Sequence, residues 1–277
     1  MGLRVNTNIS AMQAHQKLNQ VSKDTEDSMA KLSSGERINK AADDASGLAI
    51  SEKMKAEIRS SRQASRNATD GLSLVQTAEG GLSETSNLLT RMRELAIQSA
   101  SDTVSDSDRG KASIEYEALK NELERLSQVT EFNGIKLLNG SSGKKLDFQV
   151  GLGRNGAEVL SYDSTQLDTR VQALGVSSTG IQTKFNARAG LEAIDSAISK
   201  ISSHRSVLGS LQNRLTVSSN NLAVYSENLS ASNSRIRDVD YAEESANLAR
   251  NQIIGNASTA IMAQANTTGQ NASKLLK

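Results

Sequence analysis

The chain has 277 residues, with 32 Lys and Arg against 31 Asp and Glu, for a formal net charge of +1. That balance gives no electrostatic reason to expect nucleic acid or an acidic membrane as partner. Cysteine and proline are absent and aromatics make up 3%, which excludes disulfides, thiol catalysis and cysteine metal sites and leaves a core of Leu, Ile, Val, Met and Ala.

From Met1 to Val21 there is no cationic start and no continuous apolar run, so no cleavable secretory signal is expected. The spacing predicts a helix from about Asn6 to Leu32, with Ile9, Met12, Leu18, Val21, Met29 and Leu32 on or near one face. Ser33-Ser34-Gly35 is its stop, because Gly35 tolerates the left-handed conformation that ends helices. Asp43 or Asp44 is the N-cap of a second helix from about Ser46. That helix carries Leu48, Met54 and Ile58, then Leu72, Val75, Leu82, Leu89 and Ala96, with Gly80-Gly81 as a weak point. Ser101–Ser107, rich in Ser and Asp, reads as a connector. A third helix follows, with Ile114, Leu119, Leu123, Leu126 and Val129 at helical steps.

The character then changes. Asn133-Gly134, Asn139-Gly140 and Asn155-Gly156 are turn signals. Leu146, Phe148, Val150 and Leu152 alternate with less apolar neighbours as in a strand covered on one face, and Ala157–Tyr162 is its return partner. A loop region runs to about Thr183.

The strongest pattern comes last. Ile194, Ile201, Leu208, Leu215, Leu222, Leu229 and Ile236 stand seven apart, marking the packing seam of a long helix over 191–239. Such a helix is roughly 70 Å long at about 1.5 Å per residue. Its companion row starts apolar with Leu191 and Ile198, turns polar at Arg205, Gln212 and Ser219, and changes flank to Tyr225, Ser232 and Val239. A two-stranded zipper keeps both rows apolar, so partners are expected to differ along the helix.

Charge separates the ends from the middle. Lys17 is the only formal charge from Val5 to Ser22, and Arg250 the only one from Ser245 to Ser273. Helices with so little apolar area and so little charge are either disordered tails or order only when neighbours pack on them.

Chemistry is hard to find. His15 and His204 have no ligand-spaced partners, Gly151-Leu152-Gly153 lacks the helix of a phosphate loop, and Asp43-Asp44 reads as capping rather than catalysis. Arg59, Arg62 and Arg66 form a basic stripe, read as a solvated face or as ion-paired with Glu and Asp. No enzyme and no cofactor is indicated.

The segments around the helix breaks resemble the bacterial flagellin family. They are Val5–Asn8, Lys31–Asn39, Asp43–Ile50, Asn67–Gly71, Gln76–Gly80, Arg93–Ala96 and Phe132–Gly134, then Leu208–Leu215, Glu227–Leu229, Ser234–Ile236 and Ala263–Asn266. The resemblance covers roughly residues 1–139 and 186–277. One departure is that Thr267-Thr268-Gly269-Gln270 follows Ala-Gln-Ala-Asn, where many flagellins have proline.

The resemblance implies a mainly α protein: long antiparallel helices in a coiled-coil-like rod, a small β-hairpin element, and both chain ends paired as helices. Residues 1–45 with 235–277 would form an inner filament coiled-coil domain. Residues 46–234 would form an outer helical bundle that includes the β element 133–185, with no large variable domain. Val75, Leu82 and Leu89 would pack against the row from Ile194 to Ile236 within one subunit, while polar flanks such as Arg205 and Gln212 would meet other subunits. Ile9, Met12, Leu18, Val21, Leu32, Ile253, Ile254, Ile261 and Met262 would serve inner-layer assembly. The implied product is a helical homopolymer, the extracellular filament of the flagellum, made after export through the flagellar type III secretion channel. Implied partners are hook-associated and cap proteins, an export chaperone at about 235–277, and the flagellin-sensing Toll-like receptor at Arg91, Leu95 and Glu117. A hook–filament junction protein and a non-polymerising coiled-coil adaptor are the alternatives.

Overall fold

A computed structural model describes residues 7–140, 145–153, 155–163, 165 and 167–274. Val5 and Asn6 of the first motif and the last three residues of the C-terminal segment lie outside them. The fold is mainly α. In chain order it has α1 (Ile9–Ser34), α2 (Ala45–Ser99), α3 (Asp106–Val129), β1 (Glu131–Phe132), β2 (Ile135–Lys136), β3 (Lys145–Gln149), β4 (Val159–Asp163), α4 (Val171–Leu174), α5 (Lys184–Arg237) and α6 (Tyr241–Lys274). Contacts divide the chain into two units, residues 59–226 and residues 1–58 with 227–277.

In the first of these units α2 and α5 run antiparallel. Ser61 Oγ donates to the Leu222 carbonyl at 2.9 Å, Ser65 and Ser219 hydroxyls meet at 3.4 Å, and Arg93 Nε donates to Asp195 at 2.6 Å. One core joins Val75, Leu82, Leu89 and Met92 of α2, Tyr116 and Leu123 of α3, and Ile194, Ile201, Leu208 and Leu215 of α5. Sheltering these side chains from water is the main stabilising term, about 1.5–3 kcal/mol for each large one. At Gly80-Gly81, the weak point suggested by the sequence, the helix runs through both residues unbroken. Gly81 is buried and gives the buried Leu138 room to approach the α2 backbone.

Capping sets the ends of α3. Ser105 is the N-cap, its side chain accepting from the Asp108 amide, with Asp106 and Asp108 favourably placed in the first turn. The buried stripe is Arg109, Ser113, Tyr116, Leu123 and Ser127; of the apolar steps read from the sequence Leu123 is buried, Leu119 and Leu126 are half-buried, and Ile114 and Val129 are exposed. Arg109 is buried because it satisfies the end of α2, donating from Nε to the Ser99 carbonyl and from Nη2 to Ser101, both at 2.8 Å.

Asn133 (φ 50°) and Gly134 (φ 77°) turn β1 into β2, as Asn-Gly turns require. β3 pairs antiparallel with β4, Phe148 opposite Leu160. The return strand starts at Val159 rather than Ala157, because residues 156–158 form a 3-10 turn instead of a two-residue hairpin loop. Leu146 and Phe148 are half-buried and Val150 is buried, but Leu152 is exposed, so the alternation ends at Gly151.

In the other unit Asn8 caps α1 by accepting from the Ala11 amide, and Gly35 (φ 71°) ends it, donating to the Lys31 carbonyl. Of the two candidate caps for α2, Asp44 is the one used: its carboxylate accepts from the Gly47 amide at 2.8 Å, while Asp43 accepts from Asn39 and Lys40 in the preceding turn. α1 and α6 pack on each other closely enough to bring Cα atoms within 8 Å. Alternate three- and four-residue steps set the partly or fully buried positions, Ala14, Leu18, Val21, Thr25 and Ser28 in α1 and Leu248, Asn251, Gly255, Ser258 and Met262 in α6. Small side chains let the two backbones approach.

Candidate functional site

The paired chain ends carry much of the exposed apolar surface of their unit. Ile9 is 50% exposed, Met12 64%, Ile253 69% and Ile261 61%, and Ile254 and Met29 are also exposed. Val21 is buried, while Leu18, Leu32 and Met262 are half-buried. The sequence placed Ile9, Met12 and Met29 on the same face as Val21. The structure separates them, because α6 covers the small-residue side of α1 and leaves these large side chains outside. Isolated apolar residues on a surface are ordinary, but this helix pair buries Val21, Ser28 and Ser258 while exposing Ile9, Met12, Ile253 and Ile261 together.

The seven-residue row of α5 has a different fate. Ile194, Ile201, Leu208, Leu215 and Leu222 are buried, as are Val75, Leu82 and Leu89 of α2, whereas Leu229 and Ile236 are half-buried. The polar companion row finds partners within the chain, and Arg205 remains exposed. Gln212 donates to Glu79 of α2 at 2.8 Å and Arg205 pairs with the same carboxylate at 3.6 Å. Glu79 sits inside an apolar-looking stretch of α2, and only the antiparallel register brings the three groups together.

Arg91 is half-exposed, its guanidinium donating to Glu94 and Glu115 at 2.9 Å. Glu117 pairs with Lys120 at 3.0 Å, and Lys120 Nζ also lies 5.9 Å from the Tyr116 ring centre. Leu95, expected beside Arg91 on a surface patch, is 3% exposed and belongs to the core. The stripe of Arg59, Arg62 and Arg66 is exposed; Arg66 donates to Gln63, and among the described residues no carboxylate pairs with the three. His15 is exposed near Asn19, and His204 is half-buried with its pKa lowered by burial and by Lys200. Among the described residues no helix is long and apolar enough to cross a membrane.

A closed helical core in one unit and a pair of chain-end helices with outward-facing apolar side chains in the other define a helical-bundle protein with apolar surface on its paired ends. The bacterial flagellin N-terminal helical region matches residues 5–143, and the C-terminal helical region matches residues 191–276. The chain belongs to the bacterial flagellin family. It is 43% identical to a flagellin of Halalkalibacterium halodurans, covering 99% of each chain. Identity is 39% with the flagellar filament core protein flaB2 of Brachyspira hyodysenteriae, again over 99% of each chain. Among solved structures, the crystal structure of Bacillus cereus flagellin aligns with a TM-score of 0.50 and 29% identity, covering 57% of this chain and 88% of that one.

Proposed function

We propose that the chain is the structural subunit of a bacterial flagellar filament, the extracellular propeller of motility, and that it acts by polymerising with copies of itself. The observation that carries this reading is the exposed Ile9, Met12, Ile253 and Ile261 on the paired chain ends, which lose their contact with water only when neighbours stack on them. Repetition of such a heterologous contact builds an open helical polymer rather than a closed ring. Residues 1–45 with 235–277 form the inner layer of that polymer and residues 46–234 the outer one. The role is mechanical and needs no catalysis.

The chain reaches its site unfolded or partly folded, through the flagellar type III secretion channel; a chain without cysteine carries no cross-link to hinder threading. An export chaperone at about 235–277, hook-associated and cap proteins at the filament ends, and the flagellin-sensing Toll-like receptor complete the expected partners. The experiment is to seed purified chain with filament fragments. Long tubes support the reading, and a stable monomer or dimer under several salt conditions overturns it. Deletion of residues 1–32 is expected to abolish tubes while the core of 59–226 stays folded.

A further inference from the structure

The seam between α1 and α6 draws its alignment from few contacts: Val21 lies against Gly255, and Asn8 Nδ2 donates to the Ala265 carbonyl at 2.9 Å. At many of its positions the side chains are small or polar, such as Ala14, Thr25 and Ser28 against Asn251, Gly255 and Ser258. Distinct large side chains on facing positions penalise a slip of one heptad, and here that task falls to Leu18, Val21, Leu248 and Met262. A further constraint on that alignment lies beyond the seam.

Among the described residues, the only backbone bridge of this unit lies where α1 and α5 both end. Glu36 forms an antiparallel bridge with Asp238, the Arg37 amide donates to the Arg237 carbonyl at 2.6 Å, and the Val239 amide donates to the Gly35 carbonyl at 3.0 Å. Arg37 Nη2 adds a bond to the Ile236 carbonyl at 2.7 Å. The Arg237 side chain, 11% exposed, spans the junction: Nη2 pairs with Glu36 at 2.9 Å and Nη1 with Glu52 at the start of α2. Lys55 reaches Glu36 from one turn further along α2 at 3.4 Å. Burial alone would raise the Glu36 carboxyl, but its bond to Arg237 and the charges of Lys55 and Arg237 hold it below the usual carboxylate range.

We infer that Arg237 is a positioning residue for assembly: by tying the exit of α1 to the exit of α5 and the start of α2, it fixes the register in which α6 lies on α1. Only three residues, 238–240, separate Arg237 from α6, so a fixed junction leaves α6 little freedom to slide. Register matters because α6 carries Ile253 and Ile261 on its outer surface, and a slip of seven residues along α1 would displace them by about 10 Å at 1.5 Å per residue. A misaligned pair would offer neighbours the wrong surface.

Cysteine pairs read register directly, since the chain has no cysteine of its own. A Cβ at Gly255 would lie 3.7 Å from Val21 Cγ1, so Val21→Cys with Gly255→Cys reports the observed alignment. Val21→Cys with Leu248→Cys or with Met262→Cys reports a slip of one heptad either way. Disulfide yield under mild oxidation is compared in the full chain, both free and in seeded filaments, so the reading does not depend on polymerisation. With Arg237 intact the 21–255 pair dominates. Arg237→Ala is expected to lower its yield several-fold against the slipped pairs, Arg237→Lys to give an intermediate ratio, and Arg250→Ala, elsewhere on α6, to change nothing. An unchanged ratio in Arg237→Ala, or no preference for 21–255 with Arg237 intact, overturns the inference.

Discussion

Gly81 lies directly beneath Leu138: a Cβ on Gly81 would fall 2.6 Å from Leu138 Cδ1 and 3.0 Å from Thr130 Cγ2. Its neighbour Gly80 has nothing within 4 Å of the same point. Adjacent glycines in one helix therefore respond to alanine with opposite sign. Gly80→Ala is expected to stabilise by roughly 0.5–1 kcal/mol, the ordinary helical gain. Gly81→Ala is expected to destabilise by about 1–3 kcal/mol, because Leu138 is fully buried and has nowhere to move. Urea unfolding midpoints of the two variants test the pair.

Truncation along the row of α5 should follow burial rather than sequence. Leu208 is fully buried, so Leu208→Ala is expected to cost about 2–5 kcal/mol. Leu229 occupies an equivalent heptad position but is half-buried, and its truncation is expected to cost less than half as much. Equal losses in denaturant titrations would contradict the packing described.

Tyr162 gives the chain an alkaline weakness. Burial, helped by the charge of Asp163, raises its phenol from the ordinary value near 10 to about 12. The folded state thus holds the proton more tightly than the unfolded chain. The associated stability is complete below pH 10 and is lost as pH rises from 10 to about 12, up to roughly 2–3 kcal/mol. In Tyr162→Phe this part of the decline should vanish, which unfolding midpoints measured across that range would reveal.

Ile261 is 61% exposed on α6, so replacing it should spare the subunit and harm the polymer. Ile261→Asp is expected to leave the unfolding of residues 59–226 unchanged and to stop seeded elongation, because an unpaired carboxylate would have to be buried at the contact. Normal elongation rates would remove Ile261 from the assembly surface.

For receptor recognition, Arg91 and Leu95 should behave differently. Arg91→Ala removes an exposed cation held by Glu94 and Glu115 and is expected to weaken binding of the free chain to the Toll-like receptor without loss of stability. Leu95→Ala acts through the core and is expected to lower stability. Binding isotherms beside melting curves distinguish the two.

What the sequence made legible was wherever large apolar side chains do the packing. The row from Ile194 to Leu222, the facing Val75, Leu82 and Leu89, and the backbone demands of Gly35 and Asn133-Gly134 all follow from spacing and turn chemistry. Small-residue contacts were not legible. In α1 the approach of Val21 to the bare backbone of Gly255 selects Ala, Ser and Thr as neighbours, residues that carry no hydrophobic signal. Buried polar groups were equally hidden, since Arg109 is inside only because the end of α2 supplies carbonyls, and Glu79 meets Arg205 and Gln212 only through tertiary register. The outward direction of Ile9 and Met12 follows from the same cause, because a seam chosen for closeness leaves bulky side chains behind.

The hydrogen bond from Asn8 Nδ2 to the Ala265 carbonyl joins residues 257 positions apart. A ribosome must therefore finish nearly all of the intervening chain before α1 can find α6. Ordering that waits on so distant a partner is slow to begin, since a long loop must close before any contact repays it. During synthesis α1 has no mate, and its sparse charge and sparse apolar area give it little reason to settle on anything else. The seam thus makes the order of α1 hostage to α6, however early in the chain α1 stands.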